Sequence, residues 1–164
     1  MLAALKFGML KIDNNKIIVF DMEDWLKFDG ETGPYLLYSY ARINSIFKKY
    51  AENQNIDFNI TELIKKLTKT DIGLLTEKNE FEIVKHLEKF SLIIEQSAKD
   101  FKPSIIARYL IELAQMFNEF YHANQILSTD NTELMTARLY LIYNIRTVLK
   151  NGLMLLGIET VEEM

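Results

Sequence analysis

Residues 103 to 121 carry apolar side chains at intervals of three and four, and this periodicity restricts the chain to helical folds more than any other feature. Pro103 opens the segment at a position where a missing N–H does no harm, because the first N–H groups of a helix have no partner within it. The side chains that share one face are Ile106, Leu110, Leu113, Phe117, Phe120 and Tyr121. A helix with such a face must bury it against other elements.

Two further helices are predicted nearer the start of the chain. One begins at Pro34, after a glycine-containing turn, and its apolar face comprises Leu36, Tyr40, Ile43 and Phe47. A shorter one follows Asn59, which with Glu62 three residues later has the form of a capping box.

Two more helices are predicted in the second half. The first spans residues 77–99, with an apolar face of Phe81, Val84, Leu87, Leu92 and Ile94. The last starts after the N-cap Asp130, has Glu133 as the third-position partner, and ends at Gly157. Its face comprises Leu134, Leu141, Ile145, Val148 and Leu155. Helices with short connections predict an all-α antiparallel bundle.

Residues 2 to 28 differ from this pattern. They combine a short helical start with the β-branched run Lys16-Ile17-Ile18-Val19-Phe20, which is typical of an edge strand. We therefore predict two parts: residues 1–28 as the tail of another domain, and residues 29–164 as the helical domain.

Composition sets the protein class. The chain has 164 residues, of which 49% are hydrophobic, and this is enough for one packed core. It contains no cysteine, so disulfides and zinc ribbons are excluded, and a reducing cytoplasm suits it. No apolar run reaches the roughly 18 residues of a membrane span, and we expect a soluble, cytoplasmic protein without membrane contact.

Charge is distributed unevenly along the chain. The formal net charge of -4 argues against a protein that coats nucleic acids without specificity. Residues 32–51 and 134–158 nevertheless contain no acidic side chain, while they contain Arg42, Lys48, Lys49, Arg138, Arg146 and Lys150. These segments are either one basic face or two buried helices that exclude acids.

Catalytic chemistry is not indicated in the chain itself. Its two histidines, His86 and His122, lie on different predicted helices and the chain has no cysteine, so neither a histidine-based metal cluster nor a cysteine nucleophile is indicated. Gly30 and Gly33 are too closely spaced for a phosphate-binding loop and indicate a turn.

Three stretches point to a known family. The first is Phe28-Asp29-Gly30-Glu31-Thr32-Gly33-Pro34-Tyr35, followed by Ala41-Arg42-Ile43. The second is Ala107-Arg108-Tyr109-Leu110, with Phe117-Asn118 and Phe120-Tyr121 after it. The third is Ala137-Arg138-Leu139, then Val148-Leu149-Lys150-Asn151-Gly152-Leu153. In this order, over nearly the whole chain, they resemble the C-terminal anticodon-binding domain of arginyl-tRNA synthetases.

The chain departs from the family at two motifs. The Asp-Ala-Leu-Arg motif that names the fold reads Tyr143-Asn144-Ile145-Arg146 here, so only its arginine is kept. The usual ending Pro-Glu-Arg-Met reads Val161-Glu162-Glu163-Met164.

The resemblance implies a fold and a role. Members of the family have the all-helical bundle of class I synthetases, and the whole enzymes join arginine to its tRNA with ATP and magnesium. Their two catalytic motifs, His-Ile-Gly-His and Lys-Met-Ser-Lys, are absent from this sequence. We expect a cofactor-free, catalytically inactive part of a longer, monomeric synthetase, whose partners are arginine tRNA and its own catalytic domain.

The resemblance also implies site residues. Tyr121 matches a tyrosine that stacks on an anticodon base, Met164 matches a methionine that closes the same pocket, and Lys48 falls near a basic residue that faces this base. Arg42, Arg138, Lys150 and Asn151 lie in the matched stretches, and we predict that they also contact RNA.

Several alternatives stay open at this point. Tyr121 shares a stripe with Phe117 and is either a base contact or part of the core. Arg138 is either a phosphate contact or the partner of Glu133 or Glu112. Gly152 indicates close helix packing or access of RNA to the backbone. A different function, a helical protein-interaction module without RNA binding, is expected to show an exposed apolar face and insensitivity to salt.

Overall fold

The computed structural model describes residues 2–68 and 70–162, apart from the side chain of Lys66. Within these residues the regular structure is entirely helical. The helices are α1 (Leu2–Leu10), α2 (Met22–Trp25), α3 (Gly33–Asn53), α4 (Ile60–Leu67), α5 (Lys78–Glu88), α6 (Phe90–Asp100), α7 (Pro103–Ala123) and α8 (Thr132–Leu155), with a 3₁₀ turn at Ile72–Leu74. The prediction of an all-α bundle is confirmed.

Three long helices, α3, α7 and α8, pack against one another and form the centre of the bundle. The predicted apolar faces of α3 and α7 are buried there except for Tyr121, and this burial supplies most of the driving force for folding. The largest fully buried side chains include Tyr40, Phe47, Leu110, Phe117, Phe120, Leu139 and Ile142. None of the helices in the described residues has the length and hydrophobicity needed to cross a bilayer.

Helix starts follow the predicted signals closely. The Thr32 hydroxyl accepts from the Tyr35 N–H at 3.2 Å, so that α3 begins one residue before Pro34. The Asn59 side chain caps α4 as predicted. For α8 the N-cap is Asn131, whose side chain accepts from Leu134 N–H at 3.0 Å, and the prediction of Asp130 was wrong by one residue.

Gly152 explains how closely α7 and α8 approach. A Cβ at this position would lie 2.5 Å from a methyl carbon of Leu110. Gly152 is itself buried, so close packing accounts for it and access of RNA to its backbone does not.

Two predicted elements were wrong. Residues 16–20 form no strand, and the side chains of Ile17 and Val19 are 90% and 77% exposed. A β-branched run needs a neighbouring strand to pair its backbone, and the described residues contain none. The predicted helix 77–99 is two helices, α5 and α6, separated at Lys89. Phe81 and Leu92, which were assigned to its apolar face, are exposed.

The amino-terminal segment is attached to the bundle at one end. Phe7 of α1 is fully buried in the core, and a Cβ on Gly33 would lie 3.0 Å from the Phe7 Cβ, which shows how tightly α1 and α3 pack. Residues 17–20 expose their apolar side chains. The segment therefore has one buried part and one exposed apolar part.

Candidate functional site

Arg42 on α3 lies between two tyrosine rings. Its guanidinium carbon is 4.6 Å from the ring centroid of Tyr38 and 5.3 Å from that of Tyr121. Tyr38 and Arg42 are four residues apart and therefore share a face of α3, while Tyr121 comes from the end of α7. Tyrosine rings held in place by a cation provide flat aromatic surfaces of the kind that unpaired bases stack on.

Tyr121 is partly exposed, not sealed in the core. Its side chain is 36% exposed, and its ring centroid lies 6.1 Å from that of Phe117, which is fully buried. One side of the ring thus packs on the end of the α7 stripe while another part reaches solvent. A ring in this position is available to a ligand.

A hydrogen-bond network fixes the Arg42 guanidinium. Its Nη1 donates to Asn118 Oδ1 at 2.6 Å, and its Nη2 donates to the Tyr38 hydroxyl at 2.7 Å. The Asn118 amide nitrogen in turn donates to the Tyr35 hydroxyl at 2.9 Å and to Ser39 Oγ at 3.0 Å. Asn118 is therefore the link that ties Arg42 to α7.

A cleft opens beside these rings. We call it the Tyr121 cleft; it has a volume of about 790 Å³, and its lining includes Tyr38, Arg42, Lys49, Tyr121, the last two residues of α7 and the loop at residues 124–128. Pockets for small ligands are typically about 300–1,000 Å³. The cleft is large enough for a nucleobase and carries two cations, Arg42 and Lys49, for a phosphate.

The predicted residue Lys48 does not line this cleft. Its Nζ lies 5.9 Å from the ring centroid of Phe58, while its neighbour Lys49 faces the cleft. Consecutive helical residues point about 100° apart, so a shift of one position places the side chain on a different face. Lys49, which the site prediction omitted, is the lysine that lines the Tyr121 cleft.

Arg138 is buried and ion-paired. It is 7% exposed, and its Nε donates to Glu80 Oε1 at 2.8 Å, whereas the predicted partners were Glu133 and Glu112. Its Nη1 donates to the backbone carbonyl of Gln125 at 2.9 Å. Because each guanidinium nitrogen already has a protein partner, a phosphate contact has little support. Arg138 instead holds the loop that lines the Tyr121 cleft.

Other predicted contacts lie elsewhere or outside the described residues. Lys150 and Asn151 are exposed near the end of α8, and Lys150 borders a separate depression with Thr160 and Glu162. Met164 lies outside the described residues. The structure thus brings Arg42 and Tyr121 together, and it does not place Lys150 or Asn151 beside them.

The retained motif arginine, Arg146, lies at a second polar cluster. It donates through Nε to Asn44 Oδ1 and through Nη2 to Glu162 Oε2 at 3.4 Å. Burial raises the pKa of the adjacent Tyr40 hydroxyl, which therefore stays protonated and donates to Glu162 Oε1 at 3.3 Å. This cluster joins α3, α8 and the residues after α8.

Sequence reasoning missed Tyr38, Asn118 and the loop at residues 124–128, and it did so for different reasons. Tyr38 and Asn118 had local signals, a spacing of four from Arg42 and a place in the matched stretch Phe117-Asn118. The loop at residues 124–128 had none, because its position depends on Arg138. Among the described residues, no group of three or more His, Cys, Asp and Glu side chains is placed to hold a metal ion.

Comparison with known proteins assigns the family. The family model for the DALR anticodon binding domain matches residues 36–164. The chain is 43% identical over 161 residues to an arginine–tRNA ligase from Clostridium botulinum, with 98% of this chain and 26% of that protein covered. It spans about a quarter of the length of the curated relatives it matches.

Solved structures agree with this assignment. Arginyl-tRNA synthetase from Thermus thermophilus matches with a TM-score of 0.83 and 29% identity, over 99% of this chain and 26% of the other. The Plasmodium falciparum enzyme matches with a TM-score of 0.81 and 29% identity, over 99% and 27%. On the family match, the sequence identity and the shared fold together, this chain belongs to the DALR anticodon-binding domain family.

Proposed function

We propose that the chain recognises the anticodon of arginine tRNA as the C-terminal part of an arginine–tRNA ligase. The observation that carries the proposal is the stack of Tyr38, Arg42 and Tyr121 at the mouth of a cleft of nucleobase size. Anticodon loops present unpaired bases, which proteins bind by stacking on aromatic or guanidinium planes.

Each cleft residue has a part in the proposal. Tyr121 stacks on the base, Arg42 holds the Tyr121 ring in place, and Lys49 meets a backbone phosphate from the exposed side of α3. Two further assignments stay predictions: Met164 closes the pocket, and Lys48, Lys150 and Asn151 make additional RNA contacts. Arg138 acts indirectly in this proposal, by fixing the loop through Gln125.

The parent protein is part of the same proposal. It would join arginine to tRNA with ATP and magnesium, both bound by a catalytic domain outside this chain. Residues 1–28 would belong to the junction with that domain, and the exposed Ile17 and Val19 support this because such side chains usually contact another surface. We further propose that the parent is a cytoplasmic monomer.

A salt-dependent titration tests the proposal. We expect the chain to bind arginine tRNA more tightly than an unrelated tRNA at low salt. The logarithm of the affinity should fall with the logarithm of the salt concentration, with a slope of about -0.7 for each phosphate neutralised on a single strand. Equal binding to both tRNAs would refute anticodon recognition by this chain.

An interaction module without RNA is the competing function. The exposed apolar residues 17–20 are the observation that favours it. It predicts association that depends on protein concentration, does not need tRNA and does not weaken with salt. Sizing measurements at several salt concentrations separate the two functions.

A further inference from the structure

Glu80 on α5 is a fully buried acidic residue that does not line the Tyr121 cleft. Its Oε1 accepts from Arg138 Nε at 2.8 Å, and its Oε2 accepts from the backbone N–H of Glu77 at 3.0 Å. The second bond belongs to the capping box at the start of α5, so the carboxylate is held by its own helix. Glu80 therefore offers Arg138 a negative charge whose position is fixed.

Arg138 extends from this carboxylate to the segment that joins α7 to α8. Its Nη1 donates to the backbone carbonyl of Gln125 at 2.9 Å, and its Nη2 donates to Asn124 Oδ1 at 3.2 Å. Asn124 is the residue at which α7 ends. Because a guanidinium is planar and rigid, the direction of the Nε bond to Glu80 sets the directions of the two bonds to this segment.

The segment that Arg138 holds forms one wall of the Tyr121 cleft. We call residues 124–128 the cleft loop, and all five of them line the cleft. The loop lies outside any helix, so no regular backbone pattern fixes its course. Of its side chains, that of Ile126 is buried, while Gln125 and Ser128 are exposed. The course of the loop therefore depends on a small number of contacts, and two of these come from Arg138.

Stability alone is a poor explanation for a buried pair of this kind. Removing two charges from water costs free energy, and an uncharged pair of similar volume is often equally stable or more stable. An uncharged pair would lack the donor groups that reach Asn124 and Gln125. What Glu80 and Arg138 add to the bundle is therefore a fixed shape for one wall of the cleft.

We propose that Glu80 is a positioning residue for RNA binding: it orients the Arg138 guanidinium, which holds the cleft loop in the course that a base in the Tyr121 cleft requires. The proposal rests on the function proposed above and deepens it, because it assigns the shape of the RNA site to an acidic side chain that is closed off from solvent. A negative charge by itself weakens phosphate binding, so the proposed effect of Glu80 is opposite in sign to its electrostatic effect.

The double variant Glu80→Gln/Arg138→Met separates positioning from stability. Glutamine keeps the side-chain acceptor of the capping box, and methionine leaves no buried charge unpaired. The two changes remove one charge of each sign, so the net charge that attracts phosphates is unchanged. Glu80→Gln alone, which leaves Arg138 without its counter-charge, is the destabilised reference. Lys78→Met/Glu82→Gln is the matched control, because it removes an exposed pair from the same region of α5.

Three measurements are made on the 164-residue chain. Urea unfolding gives the stability, heteronuclear ¹⁵N NOE values of residues 125–128 report whether the cleft loop is held, and titration with the anticodon stem-loop of arginine tRNA gives the affinity. We expect the double variant to recover most of the stability that Glu80→Gln loses, to lower the NOE values and to weaken RNA binding about tenfold, a usual effect for residues that act on a site without touching its ligand. The control should change none of the three quantities.

The outcomes separate this proposal from the function on which it rests. If RNA affinity recovers together with stability in the double variant, the pair is purely structural and positioning is refuted, while anticodon recognition stands. If the NOE values of the cleft loop are the same in the double variant and in the unsubstituted chain, Arg138 does not hold the loop, and the proposal is refuted at that step. If the unsubstituted chain shows no preference for arginine tRNA, anticodon recognition fails and the positioning role fails with it.

Discussion

The guanidinium carbon of Arg42 lies 5.3 Å from the ring centroid of Tyr121, so that a cation from α3 and a ring from α7 meet at the mouth of one cleft. The two residues are far apart in the sequence, and Asn118 connects them by accepting from Arg42 one turn before Tyr121. The bundle thereby builds a stacking surface from two helices that its core holds rigidly together.

Tyr121→Ala should weaken binding to arginine tRNA by about 1–3 kcal/mol, the usual contribution of one stacked base. Because the ring lies at the end of the apolar stripe and is partly exposed, helicity measured by circular dichroism should be unchanged. Tyr143→Ala, which removes a partly buried ring on α8 outside the cleft lining, is the control and should leave binding unchanged. Unfolding of the Tyr121 variant would show instead that the ring belongs to the core.

Glu80→Gln should lower the free energy of unfolding by about 3 kcal/mol, because it leaves Arg138 buried without its counter-charge. The matched control is Glu82→Gln, which affects an exposed pair with Lys78 at 3.6 Å and should cost less than about 0.5 kcal/mol. Urea unfolding measures both values. Similar losses of unfolding free energy in the two variants would mean that the buried ion pair contributes no more to stability than the exposed one.

Gly152→Ala should destabilise the protein by about 1–3 kcal/mol through overpacking, although alanine is the better helix former by about 1 kcal/mol. The new methyl group would collide with Leu110, which is fully buried. A double-mutant cycle with Leu110→Ala should show coupling, since the shortened side chain makes room for the methyl group. Additive effects would exclude this contact as the reason for the glycine.

Stability should decrease as the pH falls below 6.5. Burial lowers the pKa of His86 from its ordinary value of 6.5, so in this pH range the unfolded chain binds a proton that the folded chain does not. Stability therefore rises with pH between the lowered pKa and 6.5, and is lost on acidification through that range. Urea midpoints between pH 7 and 5 measure this slope, and His86→Gln should reduce it.

Equal slopes for the His86 variant and the unsubstituted chain would assign the acid sensitivity to other groups. Asp13 is not among those groups, because the hydrogen bond from Ser104 lowers its pKa from an ordinary value that already lies below this pH range.

Local patterns were sufficient for the long helices because side chains three and four residues apart lie on one helix face. The stripe that begins at Leu36 is buried as predicted, and so is the one that begins at Ile106 apart from its last member, Tyr121. The break at Lys89 was missed because neither glycine nor proline marks it. The strand at residues 16–20 was wrong because β propensity without a pairing partner does not make a sheet.

The site was less accessible to sequence reasoning because its contacts are non-local. Arg138 pairs with Glu80, which is 58 positions away, so neither predicted acidic partner was correct. Lys49, and not Lys48, lines the cleft. The sequence does not show which face of α3 is turned towards the cleft, so it could not distinguish between two consecutive lysines. Tyr121 was found through family resemblance, since its position in the stripe fits a core residue equally well.

The most direct test of the central claim is a chemical-shift map of the ¹⁵N-labelled chain titrated with the anticodon stem-loop of arginine tRNA. Recognition in the Tyr121 cleft predicts that the largest changes fall on the amides of Arg42, Lys49, Tyr121 and residues 122–128, and that they disappear in Tyr121→Ala. Changes confined to residues 17–20, or their absence throughout the cleft, would contradict it.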